Sequence, residues 1–218
     1  MINNRKNDMA VEREIAAFLD EHLYSNVGIF KEFARTDGKD EQLVGSDLIL
    51  STADGKLNRV VVDEKVASRY ACSGLDTFAL ELSFIGKLGQ KRCGWLLDST
   101  KATEYFLFGW ITKADIPYLK LKKRYDTNKL TKDNIRELEW VLVSKEKIIK
   151  FLEKNGWTLD RLARQDERIR ERGSVVTKDF INGISFRYSG EYVEKPINLL
   201  LKKETYKELS EYNGTINV

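Results

Sequence analysis

Three charged residues in the first third of the chain have the types and spacing that phosphodiester chemistry uses. Asp47 precedes a predicted turn, Asp63 follows that turn, and Lys65 stands two positions after Asp63. Side chains alternate between the two faces of a strand, so Asp63 and Lys65 share a face if this segment is extended. The side chain of Glu64 then points to the opposite face.

Two carboxylates and the backbone carbonyl of Glu64 are hard oxygen ligands of the kind that Mg²⁺ prefers. A divalent cation polarises a phosphoryl oxygen and lowers the pKa of a bound water, and the neighbouring Lys65 can orient or deprotonate that water. The alternative is structural: Asp63 and Lys65 form an ion pair at a strand end, and Asp47 is solvated in a turn. The spacing alone leaves both alternatives open.

Periodicity and turn residues predict the elements that position these groups. Apolar residues at helical spacing after Asp8, a candidate N-cap, predict an amphipathic helix. The Asp54-Gly55 turn predicts an antiparallel hairpin with Asp47 on one arm and Asp63 on the other. Segment 77–85 favours a strand, with a helix as the alternative. The predicted elements of the first half are a helix over 9–24 and strands over 29–35, 43–50, 58–65, 77–85, 95–97 and 105–111.

The second half begins with a basic, irregular segment over 113–132, which predicts a surface excursion. Ser144 and Thr158 are candidate caps of two helices. The predicted elements after the excursion are a strand over 138–143, helices to about 155 and 172, strands over 184–188 and 197–201, and a helix over 204–212. We therefore expect a single α/β domain over 1–218 with a mixed sheet flanked by helices. Its core covers about 9–112, and an extension over about 113–218 packs on that core.

Composition excludes several classes of function. The 218 residues are 42% hydrophobic and 11% aromatic, which is enough apolar surface to fold, and the net charge of +3 permits a polyanionic partner. The single histidine, His22, excludes histidine-rich metal sites, and neither a Walker A nor a GxGxxG pattern occurs. Cys72 and Cys93 form no CxxC pair, and no apolar run is long enough for a membrane span. We expect a cytoplasmic protein with no membrane partner.

The run Gly45-Ser46-Asp47 before one strand and Val61-Val62-Asp63-Glu64-Lys65 on the next resembles the PD-(D/E)XK nuclease superfamily. The core of that superfamily, the restriction-endonuclease-like fold, is a helix, a three-stranded meander, another helix and a further strand. Ser46 replaces the proline that names the motif. If 77–85 is a strand, the helix after the lysine must be short or displaced.

A more local resemblance is to a group of uncharacterised bacterial and mobile-element proteins of the same superfamily. It covers about 10–111 and thins afterwards. The segments that carry it are 42–47, 63–65, Tyr70, 77–82, 94–96 and the late 196–199.

The superfamily resemblance implies a Mg²⁺ ion, with Mn²⁺ as a substitute, held by Asp47, Asp63 and the Glu64 carbonyl, with Lys65 as the catalytic lysine. It also implies an acidic contribution from the first helix. Glu14 is the first candidate for that role and Glu12 the second. Glu81, in the apolar run 77–85, is a candidate for a place near the metal, with a structural, hydrogen-bonded role as the alternative. Many enzymes of the superfamily act as dimers, so a homodimer stays open.

Further residues are candidates for substrate binding, each with a structural alternative. Gln42 and Tyr70 flank the predicted site, although turn and packing roles are equally open to them. A basic cluster can bind a phosphate backbone or be a solvated loop. A stripe of arginines at helical spacing can bind a phosphate backbone or form a salt-bridged, solvent-exposed helix face. The cluster is Lys122, Lys123 and Arg124, and the stripe is Arg161, Arg164 and Arg168.

Together these features predict a nuclease that hydrolyses phosphodiester bonds of DNA by attack of a metal-activated water. The first alternative is a catalytically inactive nucleic-acid-binding or assembly protein on the same fold. A second alternative is a globular protein that binds another protein and no nucleic acid.

Overall fold

The computed structural model describes residues 4–36, 46–175 and 180–218. These ranges contain four helices: α1 (Asn4–Leu19), α2 (Lys145–Lys154), α3 (Leu159–Arg172) and α4 (Lys203–Leu209). A π-helical turn, Asp20–Tyr24, continues α1, and together they account for the predicted first helix. No helix within the described ranges is both long and apolar enough to cross a membrane.

Twelve strands lie in the same ranges. The first six are β1 (Phe30–Arg35), β2 (Leu48–Thr52), β3 (Val60–Val66), β4 (Thr77–Ile85), β5 (Lys91–Cys93) and β6 (Tyr105–Ala114). The last six are β7 (Tyr118–Leu119), β8 (Arg124–Tyr125), β9 (Ile135–Ser144), β10 (Ile184–Tyr188), β11 (Ile197–Lys202) and β12 (Tyr212–Asn217).

The strands form a large mixed sheet and a smaller one. The large sheet has the order β1-β2-β3-β6-β9-β12, and β3 and β6 are its parallel pair. The small sheet has the order β10-β11-β4-β5, and β7 and β8 form a separate ribbon. The predicted α/β fold, with an N-terminal helix followed by a β-meander in a mixed sheet, is confirmed. Residues after 113 supply strands to both sheets.

The two faces of the large sheet carry separate hydrophobic cores. Along β6, Leu107 packs in the core beneath α1, whereas Phe106 and Phe108 pack in the core shared with the small sheet and the later helices. This alternation follows from the pleat of a strand. Val62 lies in the core beneath α1, so the next residue, Asp63, points to the opposite side. Asp63 pairs in register with Phe106, and both side chains face the small sheet.

The hairpin and the two later helix caps are confirmed, whereas Asp8 is wrong as an N-cap because α1 begins at Asn4 and Asp8 lies within it. Strands β2 and β3 pair antiparallel, with Leu50 opposite Val60, and β3 lies in the interior of the sheet as its valine run predicts. Segment 77–85 is a strand, and the only helical segment between β3 and β4 is the 3-10 turn Ser68–Tyr70. The Ser144 side chain accepts a hydrogen bond from the Lys147 amide, and that of Thr158 accepts one from the Arg161 amide.

One predicted strand is a turn instead, and the bounds of two other predicted elements are wrong. Segment 95–97 is a turn closed by the Leu97 and Asp98 amides, which donate to the carbonyl of Gly94; its apolar side chains pack on the core without joining a ladder. The last helix ends at Leu209, because the chain then enters β12 beside β9. Strand β2 begins at Leu48, so Asp47 precedes the strand, and residues 43–45 of the predicted arm lie outside the described ranges.

Replacing Gly94 with alanine tests the close packing that carries the chain into this turn. A Cβ at Gly94 would lie 2.1 Å from the Glu81 carbonyl oxygen, a backbone atom of β4 that cannot move aside. We expect Gly94→Ala to lower the free energy of unfolding by about 1–3 kcal/mol in urea denaturation. Gly28→Ala is the control, since a Cβ there meets nothing within 4 Å. Equal stability of the two variants would contradict the packing described.

Candidate metal centre

The two predicted carboxylates and the lysine meet at the end of the β2–β3 hairpin. The Asp47 amide donates to the Val62 carbonyl at 3.0 Å, which holds Asp47 beside β3. Its carboxylate oxygen Oδ2 accepts a 2.7 Å hydrogen bond from the Glu64 amide, and the carboxyl group is near enough to Asp63 to raise the pKa of that residue. The Lys65 ammonium contacts Asp63 Oδ1 directly. The predicted triad is therefore brought together in space.

Asp63 lies in an electrostatically costly place. Only 3% of the residue is exposed, and the pKa of its carboxyl group is raised from 3.8 to about 7. Burial is the largest cause of this shift; the ammonium of Lys65 opposes it and the negative charge of Asp47 adds to it. Near neutral pH the carboxyl pair therefore holds a proton unless another cation compensates its charge.

Two residues that the sequence analysis did not single out complete the surroundings of Asp63. The Lys65 ammonium lies 5.5 Å from the centre of the Trp95 ring, and Trp95 packs edge-on against Phe106. Burial lowers the pKa of Lys145, and attraction to Asp98 and Asp63 opposes this shift, so a second ammonium group acts on the buried carboxyl. Lys145 begins α2 directly after β9, so only the strand order brings it near β3.

The acidic residue of α1 that faces the site is Glu12, and the first candidate, Glu14, is wrong. Successive helix residues are about 100° apart, so positions 12 and 14 lie on nearly opposite sides. Glu14 accepts a 2.9 Å hydrogen bond from the Lys132 amide, far from the carboxylate pair in the fold. Burial raises the pKa of Glu12, as do the charges of Asp8 and Asp47, while Lys65 lowers it. The second candidate therefore replaces the first.

The side chain of Glu64 points to the opposite face of β3, as predicted. It accepts hydrogen bonds from the Tyr24 hydroxyl at 2.7 Å and from Arg35 at 2.5 Å. Arg35 also donates to Asp20 at 2.6 Å, so this network joins the turn after α1 to β1 and β3. Burial raises the pKa of Glu64, and the hydrogen bonds from Arg35 and Tyr24 oppose that shift.

These groups open onto a cleft of about 540 Å³ between α1, the hairpin and the start of β4. Residues from α1 line one wall, including Met9, Glu12 and Ala16, and Asp47 and Lys65 lie on the other side. The residues with described positions include no group of three or more His, Cys, Asp or Glu that could hold a metal ion. The candidate centre therefore has two neighbouring carboxyl groups, Asp47 and Asp63, and Glu12 interacts electrostatically with Asp47.

Most of the predicted substrate-binding residues do not line this cleft. Gln42 lies outside the described ranges. Tyr70 is exposed and lines a neighbouring groove instead. Arg161 stacks on Trp157 and donates to the Gly156 carbonyl, which is a helix-end role. The others are exposed side chains away from the cleft lining: Lys122, Lys123 and Arg124 at the β7–β8 ribbon, and Arg164 and Arg168 on α3.

Glu81 lies on the side of Lys65 that faces the small sheet. Burial raises the pKa of its carboxyl group, the charge of Glu194 raises it further, and the charge of Lys65 lowers it. Glu81 therefore interacts with the lysine of the triad and not with the carboxylate pair.

The chain matches no protein-family model, and no curated protein or solved structure is similar enough to it to count as a match. What the fold and the site define is an α/β protein with a buried carboxyl group, Asp63, beside a half-buried one, Asp47, and a lysine at the mouth of a cleft. A function must be argued from that geometry.

Removing the Asp63 carboxyl should change how stability depends on pH. The folded protein keeps a proton on Asp63 up to about pH 7, whereas the unfolded chain loses it near 3.8. The free energy of unfolding should therefore fall as pH rises from about 4 to 7 in the presence of EDTA, and Asp63→Asn should flatten this decline. Urea unfolding across that pH range measures both slopes.

The exposed Asp160→Asn, on α3, is the matched control for this experiment. We expect it to keep the slope of the natural protein. A slope that is unchanged in Asp63→Asn would show that Asp63 does not hold the proton.

Proposed function

We propose that this protein is a metal-dependent nuclease that hydrolyses phosphodiester bonds of DNA, with Asp47, Asp63 and Lys65 as its catalytic residues. The observation that carries the proposal is the contact of the buried Asp63 carboxyl group with the Lys65 ammonium, beside a second carboxyl group, Asp47, where Asp47 and Lys65 line an open cleft. Buried like charges lower stability, so their clustering favours a functional role over a structural one.

The chemistry of the donor set fits a divalent cation. Mg²⁺ keeps several waters and is usually held by one or two carboxylates, so Asp47 and Asp63 are enough protein ligands, with the Glu64 carbonyl as a further oxygen donor. Such a cation would compensate the charge that otherwise retains a proton on Asp63. When bound, it supplies Lewis-acid stabilisation of the phosphoryl oxygens and a more acidic water, and Mn²⁺ would serve as a substitute.

The protein residues then have separate tasks. Asp47 and Asp63 would hold the cation. The Lys65 ammonium, on the same face as Asp63, neutralises charge on the phosphate and orients the attacking water. The water oxygen forms a bond to phosphorus as the bond to the leaving sugar oxygen breaks. The water gives up a proton to solvent and the leaving oxygen takes one up from solvent, giving a phosphomonoester and an alcohol.

The order of the elements agrees with the resemblance noted from the sequence. An N-terminal helix precedes the β1–β3 meander, and β6 lies parallel to β3. The helix expected after the lysine is reduced to the turn Ser68–Tyr70. The missing helix lies beside the triad, and Asp47, Asp63 and Lys65 still come together without it. A PD-(D/E)XK-type nuclease is therefore the best supported proposal.

The second candidate is a catalytically inactive nucleic-acid-binding or assembly protein on the same fold. The direct contact between Lys65 and Asp63 favours it, because this is the geometry of a structural ion pair. In that case the carboxyl pair is neutralised by Lys65 and a proton, and the cleft performs no hydrolysis.

Plasmid cleavage separates the two candidates. We expect the natural protein to nick or linearise supercoiled DNA in the presence of Mg²⁺ or Mn²⁺ and to stop when EDTA is added. Asp63→Asn and Lys65→Met should each lower the rate by about 100-fold or more, since each removes a group that acts on the reacting phosphate.

Matched controls are the exposed Asp160→Asn and Lys154→Met, which should cut at the natural rate. Equal rates in all five proteins, or cutting that survives EDTA, would refute the nuclease proposal. Thermal melting of each variant establishes that it is folded.

The assignment of Glu12 gives a second test on the same reaction. Glu12→Gln should raise the Mg²⁺ concentration for half-maximal cleavage by about 10-fold, because a negative charge near the ligands is lost. Glu14→Gln should leave this concentration unchanged and lower stability by about 1 kcal/mol, because its partner is the Lys132 amide. A shift with Glu14→Gln alone would reverse the assignment.

A further inference from the structure

A second groove lies beside the catalytic cleft. It has a volume of about 440 Å³ and is bounded by the segment after β3 and by strands β4, β10 and β11 of the small sheet. We call it the outer groove. It shares Val66, Ser68 and Phe78 with the cleft, so it lies directly next to the depression that Lys65 and Asp47 line.

The polar side of the outer groove is built from strand register. Arg187 of β10 pairs with Asn198 of β11, whereas the flanking Phe186 and Leu199 point into the core. Alternation along each strand therefore directs Arg187 and Asn198 away from the core and into the groove. Ser189 extends this polar row beyond β10.

The charge of the outer groove differs from that of the cleft. Its lining, as far as the chain is described, includes two arginines and no carboxylate, whereas the lining of the cleft has three carboxylates and three cationic side chains. Arg69 is paired with Asp8 at 2.7 Å. Arg187 is exposed and forms no ion pair with any described residue. The groove therefore offers a cation for an anionic ligand next to the site of phosphate chemistry.

An apolar floor and an exposed aromatic ring complete the outer groove. Leu75, Phe78 and Leu200 contribute to its lining, and Tyr70 stands at its edge with 58% of its surface exposed. A cation beside an accessible ring is the arrangement by which proteins bind a phosphate and stack the adjoining base. In a duplex the base faces are covered by their neighbours, so a stacking ring is used only when the bases are unpaired.

We propose that the outer groove binds a single nucleic-acid strand on one side of the scissile phosphate, with Arg187 on a backbone phosphate and Tyr70 stacked on a base. This inference rests on the proposed nuclease function for the position of the scissile phosphate. It adds the substrate class: the protein acts on unpaired strands, flaps or ends, and the outer groove supplies the affinity for them.

Binding measurements on the full chain test this assignment. Fluorescence anisotropy with a labelled single-stranded DNA, the same sequence as RNA, and the DNA duplex is recorded in Ca²⁺, which allows binding without hydrolysis. Arg187→Ala should weaken single-strand binding about 5- to 10-fold and reduce the slope of log affinity against log salt by about 0.7. Tyr70→Ala should weaken it at least 5-fold, and Tyr70→Phe should restore it within about twofold because the ring is kept.

The control is Arg92→Ala, an exposed arginine of β5 that lines neither depression. It should bind all three probes as the natural protein does. The DNA and RNA arms decide which strand the groove prefers, and duplex binding should change less than twofold in every variant.

The outcomes separate this inference from the nuclease proposal. Loss of single-strand binding in Arg187→Ala and Tyr70→Ala supports the groove even if the protein cuts nothing, and only the nuclease proposal then fails. Equal binding by all variants overturns the groove assignment even if the protein cuts DNA. No binding of any probe, or an equal loss for single strand and duplex, also overturns it.

Discussion

The site depends on the burial of the Asp63 carboxyl group beside that of Asp47. Two neighbouring acids at the margin of a hydrophobic core repel each other, and the buried one loses hydration; both effects raise the pKa of Asp63. Something positive must therefore lie between or beside them. Lys65 supplies one positive charge, and Lys145, at the start of α2, attracts Asp63 from another element. The proposed divalent cation supplies the remaining positive charge. The same constraint explains why the site is open to a cleft: a fully enclosed pair could not exchange its proton for a metal ion.

The rest of the fold holds this unfavourable pair in position. On the opposite face of β3, Glu64 joins Tyr24 and Arg35, so the strand cannot rotate without breaking a buried network. That network also fixes the end of α1, which carries Glu12 towards the cleft. On the face of β3 that carries Asp63 and Lys65, Trp95 packs against Phe106 and its ring lies beneath the Lys65 ammonium. The side chain of Glu64 thus belongs to a structural network on one face of β3, whereas its neighbours Asp63 and Lys65 meet on the other face.

Local rules predicted the hairpin because they are sufficient there. Asp54-Gly55 marks the turn, the valine run marks an interior strand, and alternation places Asp63 and Lys65 on one face. Local rules failed where long-range pairing decides. Glu12 and Glu14 both flank the apolar stripe of α1, and only the part of the fold that each one faces distinguishes them. The helical spacing of Met9, Glu12 and Ala16, which places these three residues on one side of α1, was the sequence signal that favoured Glu12. Trp95 belongs to the short apolar segment 95–97, whose composition is typical of a strand. Lys145 directly follows β9, and it comes near the site only because the strand order β3-β6-β9 brings β9 close to β3.

We propose that Asp47 and Asp63 share one divalent cation. Anomalous diffraction from a crystal soaked in Mn²⁺ is the direct test of this proposal. The account predicts an anomalous peak between the two carboxylates, about 2.0–2.2 Å from an oxygen of each, with the Lys65 ammonium displaced from Asp63. A crystal that binds Mn²⁺ elsewhere, or that keeps the Lys65–Asp63 contact with no peak between the carboxylates at saturating metal, would contradict it.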